Sequence, residues 1–81
     1  MIRIGFRKHN KWNWTEVIII DPRFFGGAET MIGVIRPVDP MQPGGEHELE
    51  LADKTYNHRL GSAELRIIAD EIDRIEKGIS G

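Results

Sequence analysis

Chemistry in this chain would have to come from a short roster of side chains. The serines are Ser62 and Ser80, and neither stands in a pattern that gives a nucleophile its base. Ser62 fits better as a helix cap. His9, His47 and His58 are scattered, and only a fold that drew them together with Glu46 or Glu48 would make a metal site. His47-Glu48 opens like the zinc-binding pattern H-E-x-x-H, but Leu51 stands where the second histidine belongs, and the local alternation is that of a strand. Cysteine is absent, which excludes thiolate ligands, thiol nucleophiles and disulfides. Gly26-Gly27 and Gly44-Gly45 match neither phosphate-loop pattern and are turn glycines. These residues predict a non-enzymatic protein without cofactor or metal, with a small enzyme or metal-binding protein as the least favoured reading.

The run Arg7-Lys8-His9-Asn10-Lys11-Trp12-Asn13-Trp14 is the most suggestive stretch. Cations beside flat rings are what a single-stranded nucleic acid needs, the former for phosphates and the latter for stacking. Arg3, Arg7, Lys8, Lys11, Trp12 and Trp14 are therefore the candidate nucleic-acid residues. Plainer roles fit as well: cations around a hairpin protect a sheet edge, and two tryptophans of equal strand parity can belong to a core or a protein interface. Residues 1–15 carry four cations and no acid, whereas from Glu46 onward nine acids face five bases, within a net charge of −2. Such polarity fits a charged partner at one end, or contact between the two ends in the fold.

The elements that must position these residues follow from hydrophobic spacing. Ile2, Ile4 and Phe6 alternate with Arg3, Gly5 and Arg7 as in a half-buried strand. After the polar break at residues 8–11, Trp12 to Ile20 is rich in β-branched and aromatic residues and predicts a second strand, antiparallel to the first. Asp21-Pro22 ends it, and a third strand spans about Glu29 to Arg36. The proline- and glycine-bearing segment from Pro37 to Gly45 is a surface loop, and His47 to Leu51 alternates as a fourth strand. Residues 54–60 are ambiguous. Ser62 as N-cap, Glu64 in the first turn and Lys77-Gly78 at the end frame a helix over about residues 63–77. Its stripe is Leu65, Ile68, Ile72, Ile75 and Ile79, with Ala69 beside it and Ile67 off it.

The fold class expected is α+β: a three- or four-stranded antiparallel sheet with one C-terminal amphipathic helix packed on a face. At 81 residues the chain predicts one domain, residues 1–81, without an internal boundary. The longest apolar run, Val17 to Ile20, is too short for a bilayer, and no signal-peptide pattern follows Met1, so the expected location is the cytoplasm and no membrane is a partner.

One helix covers one face of a sheet, yet Val17 and Ile19 point one way and Ile18 and Ile20 the other. The third strand repeats this, with Met31 and Ile35 on one parity and Ile32 and Val34 on the other. The second face is thus expected to be apolar and to pack against a second copy, as a homodimer, or against a partner protein; the alternative is that the proline-rich loop and the termini close over it. Trp12, Trp14, Phe24, Phe25, Ile18 and Ile20 are its expected contact residues. The leading functional reading is a protein-binding module. It could be an accessory or inhibitory factor, such as one from a phage or other mobile element, that occludes a larger partner's surface. Nucleic-acid binding through the Arg7 to Trp14 hairpin is the alternative.

Overall fold

The computed structural model describes residues 2–23, 25–42, 44–52 and 60–78. Four strands, β1 (Arg3–Lys8), β2 (Thr15–Ile20), β3 (Thr30–Pro37) and β4 (His47–Leu51), form an antiparallel sheet in the order β1-β2-β3-β4. A short 3-10 turn, Phe25–Gly27, lies between β2 and β3, and the helix α1 (Ser62–Glu76) follows β4. The chain is thus an α+β fold with a four-stranded open sheet and one C-terminal helix among the described residues. Phe24 and residues 54–59, read from the sequence as loop and as ambiguous, lie outside the described residues.

The face under the helix is the core. Ile4 and Phe6 of β1, Val17 and Ile19 of β2, Ile32 and Ile35 of β3 and Leu49 of β4 meet Ile68, Ile72 and Ile75 there. Ile68 is the one wholly buried residue of α1, 2% exposed. Leu65, expected in the buried stripe, is exposed instead, as is Ala69. The helix engages the sheet through its later turns, where Ile68, Ile72 and Ile75 recur at spacings of four and three.

A bulge corrects the expected parity of β3. Val17 stands opposite Gly33, but Ile18 stands opposite Met31, which leaves Ile32 as an extra residue. The insertion turns Ile32 to the same side as Ile35, and both are buried in the core. Met31 and Val34 are left on the second face, opposite Ile18 and Glu16 respectively. A strict period of two assigns Ile32 and Met31 the wrong way round because it cannot contain an unpaired residue.

Local polar groups set the ends. Gly61, and not Ser62, is the N-cap of α1: its N–H donates to Glu64 Oε1 at 2.7 Å, and Ser62 is the first helical residue. The Glu64 carboxylate satisfies the Gly61 N–H, and glycine offers no side chain to accept the N–H groups of the first turn. At the other end Gly78 takes φ 71° and donates to the Ile75 carbonyl, a left-handed stop suited to glycine. Glu76 reaches back to accept the His47 N–H at 2.6 Å, tying the end of α1 to the start of β4. No helix among the described residues is long and apolar enough to cross a membrane.

Candidate functional site

The β1–β2 and β3–β4 connections lie at the same end of the sheet, because consecutive strands alternate in direction. His9 organises the first. Its Nδ1 accepts the backbone N–H of Lys11 at 3.1 Å and of Trp12 at 3.2 Å, while its own N–H donates to the Trp14 carbonyl at 2.9 Å. The loop held this way folds Trp12 back onto Trp14. Their ring centroids are 5.7 Å apart and nearly parallel at 22°, and His9 lies 5.9 Å from the Trp14 ring. β2 begins at Thr15, so Trp12, Asn13 and Trp14 precede it, where the sequence predicts a strand from Trp12 onward. Trp12 remains 58% exposed, a large apolar area left in water.

Across from the pair, Pro37 ends β3 and Pro40 lies in the following turn. Asp39 shapes that turn: its side chain accepts the Met41 N–H and its carbonyl accepts the Gln42 N–H. A cavity of about 350 Å³ opens between the two connections, lined by Trp12, Asn13, Trp14, Arg36, Pro37 and Pro40. Val38 and Met41 are exposed on the same loop. The sequence had placed Trp12 and Trp14 in the site, but it missed Arg36, Pro37 and Pro40. Their only signal was a proline-rich loop whose position beside the tryptophans is set by strand order.

The second sheet face runs from this end toward Ile20. Ile18 is buried, Ile20 is half-buried and Met31 is exposed. Their neighbours are charged: Arg7 Nε donates to Glu16 Oε1 at 2.8 Å, and Arg36 pairs with both Glu48 and Glu50 across the β3–β4 ladder. The second face is thus apolar in its middle, at the central strands, with ion pairs on both flanks. The Arg36 Nε is buried and has no acceptor among the described residues. Phe25 follows the far end of β2, a strand length from Trp14, and Phe24 lies outside the described residues.

The candidate nucleic-acid cations are spread in the same way. Arg7 is held by Glu16, and Lys8 Nζ donates to Asn13 Oδ1 at 2.9 Å. Arg3 lies at the far end of β1 from Lys11, which stands in the loop. Of the histidines, His9 serves the loop and the His47 ring lies 2.9 Å from the Gly45 carbonyl, while His58 lies outside the described residues. Among the described residues no three His, Cys, Asp or Glu side chains converge as a metal site would need.

No protein-family model, curated protein or solved structure matches this chain.

Proposed function

We propose that this chain is a non-enzymatic protein-binding module that docks through the second face of its sheet, with the Trp12–Trp14 pair as anchor. The observation that carries this reading is the stacked pair itself: Trp12 is 58% exposed on the rim of an apolar cavity, beside Pro37 and Pro40. Aromatic residues next to a small pocket are the usual centres of binding energy, while charges at the margin set orientation and partner choice. Arg7, Glu16, Arg36, Glu48 and Glu50 provide such a margin. A module of this kind would act as an accessory factor by occupying a partner's surface.

Nucleic acid is the less favoured occupant. Glu16, Glu48 and Glu50 share the open end of the face with the tryptophans. Phosphates approaching there would meet carboxylates.

Light scattering over a concentration series, combined with capture from native extract, tests the proposal. We expect either a dimer or one stoichiometric protein partner, and we expect Trp14→Asp to abolish the association with an unchanged far-ultraviolet spectrum. A monomer that captures no protein, or one that captures RNA or DNA whose binding weakens steeply with salt, would overturn it.

A further inference from the structure

We propose that the outer edge of β1 is a strand-addition site that takes an extended segment of a partner protein in which acidic and apolar residues alternate. This deepens the protein-binding reading and rests on it, because Arg3, Gly5 and Arg7 line the same sheet face as the tryptophans.

The backbone supplies the first argument. His9 donates to the Trp14 carbonyl, so in the β1–β2 register the odd residues of β1 bond to β2 and the even residues, Ile4, Phe6 and Lys8, turn their N–H and C=O groups outward. Among the described residues nothing hydrogen-bonds to these groups. The strand has six residues, no proline and an uninterrupted register with β2, and so lacks the devices that blunt a sheet edge apart from its charges.

Both sides of this edge have room for alternating side chains. On the second face, Gly5 has no side chain and nothing lies within 4 Å of where a Cβ would stand. The result is a groove of about 350 Å³ bounded by Arg3 and Arg7, with Ile18 and Ile20 behind it and Glu29 as the one acid in its lining. A residue of an added strand opposite Gly5 occupies a non-hydrogen-bonded position, where paired side chains come closest. On the other face a wider groove of about 600 Å³ starts at Phe6 and Lys8 of β1 and crosses the end of the sheet under α1, past Glu71, Arg74 and Ile75, to His47 of β4. Main-chain bonds along an edge with pockets on alternate sides are the requirements of strand addition.

Charge selects the occupant. β1 carries Arg3, Arg7 and Lys8 and no acid; Glu16 of β2 takes the Arg7 Nε and Asn13 the Lys8 ammonium, so among the described residues Arg3 and the outer guanidinium nitrogens of Arg7 are the charges left for an added strand. A second copy of β1, paired antiparallel about Gly5, would set Arg3 opposite Arg7, and like charges directly opposed are unfavourable. The acidic β4 of a second copy is also a poor occupant, since Glu76 of α1 already holds its first outward N–H. An acid-bearing strand from another protein places carboxylates beside Arg3 and Arg7 and apolar side chains against Ile4 and Phe6.

The probe is a ten-residue peptide alternating glutamate and valine, titrated into the intact protein and followed by backbone amide shifts and hydrogen exchange. Binding is expected to slow exchange at Ile4, Phe6 and Lys8, to be at least tenfold weaker for the lysine–valine peptide, and to vanish when alternate peptide amides are N-methylated. Gly5→Val puts a side chain into the groove, where a Cβ meets nothing within 4 Å, and should weaken binding, whereas Asp70→Asn on the exposed surface of α1 should leave it intact. Unprotected edge amides at saturating peptide, equal affinity for the lysine peptide, or self-association through β1 would overturn the proposal. Shifts confined to Trp12 and Trp14 would also overturn it while leaving the protein-binding reading in place.

Discussion

His9 is the residue on which the geometry of the tryptophan pair depends. It accepts two backbone N–H groups through one ring nitrogen and so closes the turn that lays Trp12 over Trp14. His9→Ala should therefore weaken the exciton signal of the stacked pair in circular dichroism while sparing the sheet. Two glycines make a second contrast at this scale. A Cβ at Gly33 would come within 2.6 Å of the Glu50 carbonyl oxygen, a backbone atom of the neighbouring strand, whereas at Gly5 it would meet open space. Gly33→Ala should thus cost about 1–3 kcal/mol through overpacking. Gly5→Ala should stabilise by about 0.5–1 kcal/mol, because glycine's extra backbone freedom is lost from the unfolded chain. Chemical denaturation of both variants measures the difference. Neither the role of His9 nor the asymmetry of the glycines is legible in the sequence, because each depends on which chain segments become neighbours.

Element by element, the sequence is legible wherever one periodic pattern governs a whole segment. The alternation of Ile2, Ile4 and Phe6 and that of His47 to Leu51 mark strands found within a residue or two, and the helix from Ser62 to Glu76 falls where its apolar spacing and end signals put it. Reading failed where a pattern broke. The bulge at Ile32 inverts the parity of Met31 relative to Ile35, and the His9 turn takes Trp12 out of β2. Leu65 keeps the helical spacing yet is exposed, since the sheet lies beneath Ile68, Ile72 and Ile75. Truncation separates these helix residues. Ile68→Ala should cost about 2–5 kcal/mol, the range for a buried large-to-small change, and Leu65→Ala less than about 0.5 kcal/mol, as at a surface site. Equal losses at the two positions would show that α1 packs differently.

At the scale of the molecule, the two faces of the sheet have unequal fates. One is closed by α1, and no described element packs over the other, where a buried Ile18 is followed toward the open end by ion pairs, a proline-lined cavity and an exposed tryptophan. The free edge of β1 borders that face and supplies backbone groups beside it. The central claim is that this face and its tryptophan pair meet another protein. The most direct measurement is site-specific photocrosslinking in the cells that express the chain, with a photoreactive residue at Trp12 on the open end or at Asp70 on exposed helix surface. The account predicts one discrete protein adduct from position 12, lost in Trp14→Asp, and none from position 70. Equal patterns from both positions, or a nucleic-acid adduct at position 12, would contradict it.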